Sequence, residues 1–109
     1  MHRKVPEADW REFRKLREVA LEKLSGQILD DVVRVCTDHS GSAHDRYLEV
    51  WRILRNRDRD MAGAFDSLSR SRMIQHLAAM IALGLLEVGD LEHMSHDTQE
   101  LIRLLMEPQ

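Results

Sequence analysis

The residue of this chain best placed to do chemistry is a carboxylate on an otherwise apolar helical seam. Tyr47, Trp51, Leu54, Asp58, Met61, Phe65 and Leu68 follow one another in steps of four and three, which puts them on one face of a helix with Asp58 in the middle. A carboxylate turned toward a core is costly unless paired, and Arg72 or His76 on the next apolar segment offers a partner. The chemical version is a polar pocket of Asp58, Arg72 and His76, with Asp58 and His76 as an acid/base pair. The structural version is a buried contact that sets helix register, or a kink that turns Asp58 to solvent, and it is the simpler expectation.

Arginine supplies a second chemistry. Arg52, Arg55 and Arg59 recur on one helical face, and Arg70 and Arg72 follow, so these five could offer planar charged forks to phosphate or nucleic acid. Glu49, Asp58, Asp60 and Asp66 are interleaved with them, whereas phosphate wants unopposed positive charge. A solvated helix laced with Arg/Asp pairs is therefore the first expectation, and anion binding the alternative. A helix-turn-helix over Met73 to Leu105 is disfavoured by sign, because its last helix would carry Asp97, Glu100 and Glu107 against Arg103.

Six histidines (His2, His39, His44, His76, His93 and His96) do not form a ligand pattern. His93 and His96 have helical spacing, but Met94-Ser95 between them reads as a helix boundary, and a metal needs three or four converging ligands. Cys36, the single cysteine, ends the first apolar stripe and reads as a small buried hydrophobe. There is no nucleophile elbow, glycine-rich phosphate loop, H-E-x-x-H or EF-hand pattern. No metal or cofactor is expected, and the chain is not expected to be an enzyme.

These residues sit on elements that the spacing predicts well. After Pro6, apolar residues at Phe13, Leu16, Ala20, Leu24, Ile28, Val32 and Val35 form one stripe of a helix running to about Cys36, with Gly26 as its weak point and Asp9 as a cap or dipole partner near its start. Thr37 to Ser42 is a loop by composition, and Ser42 with Asp45 resembles a capping box for the seam helix. That helix either breaks near Arg57 to Asp60 or extends beyond its own core to pack on another protomer. Ser67, Ser69 and Ser71 offer N-caps to an almost wholly apolar helix from Met73, which should be central, with Gly84 as its C-cap. Gly89-Asp90 reads as the turn and cap of a brief helix holding Leu91 and Met94, and Ser95 as the cap of a last helix with Leu101, Ile102 and Leu105 inward. The fold class expected is all-α, three major helices plus one or two short C-terminal ones, in a single domain over 1–109 whose residues 1–8 form a flexible arm.

Composition agrees with one small helical domain. Of 109 residues 43% are hydrophobic, with 5 Gly and 2 Pro, which excludes disordered and collagenous classes. Sixteen Lys+Arg against 19 Asp+Glu give a net charge of −3, without the bulk basicity of a dedicated nucleic-acid binder. The net value hides an asymmetry: residues 73–109 carry one basic and six acidic side chains, while residues 45–72 carry seven and five. The longest segment free of charge, Met73 to Leu86, is 14 residues, too short for a bilayer, and the basic N-terminus is not followed by an apolar leader. A cytoplasmic helical protein is expected, which binds protein partners and most of all itself as a homodimer. Tyr47, Trp51, Leu54, Met61 and Phe65 are its expected interface anchors.

Overall fold

The computed structural model describes residues 4–108; His2 and the first three residues of the expected N-terminal arm lie outside the described residues. The chain is all-α, with no strand among the described residues. Helix α1 spans Glu7–Thr37, α2 Ala43–Phe65, α3 Met73–Ala82 and α4 His96–Met106, with one-turn 3₁₀ helices at Arg70–Arg72 and Val88–Leu91. Glu7 and Ala8, assigned to the arm from sequence, already belong to α1, because Pro6 precedes the first turn and Trp10 N–H donates to its carbonyl.

Both long helices are continuous. Gly26 does not interrupt α1, and a Cβ built there meets nothing within 4 Å. Gly26→Ala is therefore expected to raise the unfolding free energy by about 0.5–1 kcal/mol through backbone entropy, read as a shift of the denaturant midpoint at unchanged slope. The break considered near Arg57 to Asp60 is also absent. Ser42 caps α2 as its spacing implies, its hydroxyl accepting from Asp45 N–H at 3.0 Å, and the helix runs through to Phe65. Past its end the chain departs from expectation. Ser67 takes a left-handed conformation at φ 58°, Ser69 and Ser71 bond each other at 3.3 Å, and the 3₁₀ turn intervenes, so no serine side chain caps α3. Gly84 does end α3: its φ of 75° lets Leu85 N–H reach the Met80 carbonyl and Gly84 N–H the Ile81 carbonyl. Val88–Leu91 closes on its own capping box between Glu87 and Asp90, so Asp90 lies inside that turn and Met94 beyond it.

The core occupies one end of the molecule. Phe13, Ala20 and Leu24 of α1, Ala64 and Phe65 of α2, Met73, Leu77 and Met80 of α3, and Ile102 of α4 bury together, closed by Leu85, Leu86, Leu91 and Met94. Helix α3 is central as expected, touching α1, α2 and α4. At roughly 15 Å each, α3 and α4 are far shorter than α1 at ~46 Å, and they cover only its first half. The remainder of α1 and most of α2 leave this body as a bare two-helix hairpin. The radius of gyration is accordingly 17.0 Å, with extents of 55 × 25 × 25 Å, against about 13 Å for a compact domain of this length.

Contacts across the chain set how the hairpin leaves the body. Phe65 N-terminal neighbours give α2 a C-terminus with no basic residue in its last turn, and its free carbonyls are met from outside. Arg17 Nη2 donates to the Phe65 carbonyl at 3.2 Å with its guanidinium 5.5 Å over the Phe65 ring, and His76 Nδ1–H donates to the Ala64 carbonyl at 2.9 Å. At the far end Arg46 donates to the Cys36 carbonyl at 2.8 Å. The turn itself is an Asp38–Ser40 motif: hydrogen bonds from the Ser40 hydroxyl and then its backbone N–H hold the exposed Asp38 carboxyl below its ordinary value.

Candidate functional site

From Ser25 to Gly63 not one side chain is buried, although this stretch makes up most of the two longest helices. Its apolar residues are large and exposed: Leu29 63%, Val33 59%, Tyr47 58%, Trp51 54%, Leu48 50% and Leu54 47%. The hairpin has two unlike faces. On one, a groove of about 470 Å³ is lined by Ile28, Trp51, Leu54 and Met61 together with Arg55, Arg57 and Asp58, and nearer the tip a second hollow of about 350 Å³ is lined by Cys36, Ala43, Arg46, Tyr47 and Val50. The opposite groove is polar, with Asp38, Ser40, Asp45 and Glu49 around Val35. Trp51 Nε1–H donates to the Tyr47 hydroxyl at 3.1 Å, and the His44 ring stacks on Tyr47, so the aromatic side chains of the apolar face order one another.

The seam expected from sequence is therefore divided. Tyr47, Trp51 and Leu54 stand exposed on the open face, whereas Met61 is half-buried against the core and Phe65, at 5% exposure, belongs to it. Phe65 is thus a core residue and not an interface anchor, because α3 packs against this end of α2. Leu105 is likewise exposed, with Ile102 the inward residue of α4. Cys36, expected to be buried, is exposed near the tip, since no third helix reaches that far. Leu29, Val33 and Leu48 were not among the expected anchors. The signal for the first two is a doubled stripe: Leu29, Val33 and Cys36 run beside Ile28, Val32 and Val35, widening the apolar face of α1 beyond what one neighbour covers.

Asp58, Arg72 and His76 do not meet. Asp58 is exposed on the hairpin, Arg72 is exposed on the 3₁₀ turn, and His76 is buried in the body, where it bonds the Ala64 carbonyl and tilts against Phe13. A carbonyl only accepts, so Nδ1 carries the proton, and Nε2 is buried without a hydrogen-bond partner. The helix did not kink, but Asp58 faces solvent because its seam has nothing opposite it.

The five arginines also fail to form one surface. Arg52, Arg55 and Arg59 share an exposed flank of α2, where Arg52 pairs with Glu49. Arg70 is drawn to the other end, paired with Glu7 and set 5.5 Å over the Trp10 ring. No family model matches the chain, and no curated protein or solved structure is found to be similar to it. Along the first turns of α1 a depression of about 550 Å³ gathers Arg11, Arg14 and Lys15 with His93, but Glu12 and Glu18 interleave with them and leave no unopposed positive field. Among the described residues no group of three or more His, Cys, Asp or Glu converges as a metal would require, and no helix is long and apolar enough to cross a membrane.

Among the described residues the one buried carboxylate, Asp9, is structural. Asp9 of α1, 1% exposed, accepts from Ser95 N–H at 2.7 Å, from the Ser95 hydroxyl at 2.6 Å and from the Thr98 hydroxyl at 2.6 Å. Ser95 caps α4 as its position implied, accepting from Thr98 N–H at 3.4 Å, but Asp9 completes that cap in place of capping its own helix. A negative charge at the start of α4 is favoured by the helix dipole.

Proposed function

We propose that this chain is a protein-interaction module that self-associates, two copies closing the apolar faces of their hairpins into a four-helix bundle. The observation that carries the proposal is the absence of any buried side chain between Ser25 and Gly63, in helices whose exposed face holds Leu29, Val33, Tyr47, Trp51 and Leu54. A monomer seldom leaves a contiguous apolar patch of more than a few hundred Å² in water. This face is roughly 28 Å long and two helices, or about 20 Å, wide, which is ~560 Å² in projection. Its corrugated accessible surface approaches the ~800 Å² per partner that a stable interface buries. Isologous pairing suits such a face because the same patch serves both partners, and in the bundle each hairpin helix gains a second adjacent helix, the cover that α3 and α4 supply only at the other end.

The role is binding, without a catalytic step, and the compartment a reducing, cytoplasmic one in which the exposed Cys36 thiol stays free. Multi-angle light scattering on dilute protein is expected to return twice the 12.7 kDa chain mass at micromolar concentration. A strictly monomeric species persisting to high micromolar concentration would overturn the proposal.

A further inference from the structure

Asp58 stands inside the apolar face that the two copies close. At 3.6 residues per turn it falls about 20° round α2 from both Tyr47 and Trp51 and about 40° from Leu54, so its carboxylate rises from the same side of the helix as the exposed aromatic side chains. It lines the groove with Ile28, Trp51, Leu54 and Met61. Two arginines line the same groove, and neither pairs with it. Arg57 lies about 100° round the helix toward α1, where Asp60 at 3.6 Å and the Gln27 side chain at 3.4 Å hold it. Arg55 lies about 60° round the other way, toward the outer side of α2, and is exposed. From α1 the groove receives only Ile28, so no cation reaches it from across the hairpin. Asp58 is accordingly exposed and takes part in no ion pair among the described residues.

In the open chain water solvates this carboxylate. Closing the face strips that water away and sets the charge among Leu54, Met61 and the side chains of the second copy, an exchange that is unfavourable without a bonded cation. A two-fold contact does this twice. The apolar side chains around Asp58 favour closure, and Asp58 opposes it. We infer that Asp58 limits the affinity of self-association, keeping as a reversible contact what the same face without a carboxylate would make a lasting one. The inference rests on the self-association proposed above and assigns the residue that sets its strength. It holds for either orientation of the copies, because the loss of hydration depends on Asp58 lying within the closed face and not on which end of the partner lies opposite.

Sedimentation equilibrium at neutral pH on the full chain tests it with Asp58→Asn, Asp58→Leu and, as a control for net charge, Asp30→Asn. Asp58 and Asp30 are both exposed, so the fold persists in all three variants. Asp30 lies about 100° round α1 from Leu29, away from the groove, and its substitution removes the same charge from outside the contact. Asp58→Asn is expected to lower the dimer Kd by about tenfold, since an amide is still a polar group to bury, and Asp58→Leu by about a hundredfold. Asp30→Asn should leave the Kd within about threefold of the parent. If the parent associates and Asp58→Asn leaves the Kd unchanged or raises it, the carboxylate either lies outside the contact or finds a cation there, and the inference is overturned while self-association stands. Equal tightening by Asp30→Asn would trace the effect to net charge and overturn it as well. If parent and variants alike stay monomeric to high micromolar concentration, both the inference and the self-association it rests on fall.

Discussion

Replacing Asp9 by Ala is expected to lower the unfolding free energy by about 3 kcal/mol. The carboxylate receives three hydrogen bonds of 2.6–2.7 Å, two of them from side chains and one from the backbone N–H of Ser95, in a site that is 1% exposed. A hydrogen bond to a charged group contributes about 1.5–3 kcal/mol, and an orphaned buried donor costs about 1–3 kcal/mol more. Ser95 and Thr98 can recover part of this by bonding each other, as their hydroxyls already do at 3.2 Å, which is why the expected loss is nearer 3 than 6 kcal/mol. For a chain of this length it corresponds to a fall of roughly 13 °C in Tm. Asp9→Asn keeps one acceptor oxygen and should lose about half as much. The measurement is denaturant unfolding by circular dichroism at one fixed protein concentration, because a chain that associates has a concentration-dependent midpoint. A loss below 1 kcal/mol for Asp9→Ala would show that the link between α1 and α4 is not a support of the body.

Much of this architecture is legible in the order of residues. The stripe from Phe13 to Val35 repeats at helical spacing because one side of α1 meets a neighbour along its whole length, first the body and then α2. Ser42, Gly84 and Ser95 act locally, on backbone groups within three or four residues, so their roles could be read without knowing the fold. Tyr47 and Phe65 show where legibility ends. Both belong to one seam at one period, yet one is exposed and the other buried, and the difference lies in α3, which packs on α2 only near Phe65. Periodicity identifies the face of a helix that wants cover; it does not say how far the covering element extends. Asp9 was illegible for a related reason: its partners are 86 and 89 residues away, and no local pattern links them. The pocket imagined for Asp58, Arg72 and His76 failed through the same distance effect. Adjacency of two helices in sequence placed the residues near one another, but Asp58 lies above the body on the hairpin while His76 turns inward to close the end of α2.

Trp51→Glu is expected to abolish association while leaving the fold of the chain intact. Trp51 is 54% exposed and its one polar contact is to the Tyr47 hydroxyl, so within a single chain its loss should change stability by no more than about 0.5 kcal/mol. In the proposed dimer the same side chain sits near the middle of the face, between Tyr47 and Leu54 and beside the groove of Ile28 and Met61. Tryptophan at the centre of an interface typically contributes 2 kcal/mol or more, and a two-fold dimer loses the contribution twice. A buried glutamate adds a desolvation cost at both copies. The sum is on the order of 4 kcal/mol or more, a rise in Kd of about a thousandfold, enough to move a micromolar dimer beyond reach at working concentrations. Light scattering should report the 12.7 kDa chain, and far-UV circular dichroism the helical content of the parent monomer. Intrinsic fluorescence separates this from general loosening, since the chain has only two tryptophans and Trp10 is held in the body by Phe13 at 5.3 Å and by Arg70. On dilution of the parent, the emission of Trp51 should shift to the red as the face opens to water, and Trp51→Glu should show no dilution dependence at all. If the variant remains a dimer, the hairpin face is not where the copies meet.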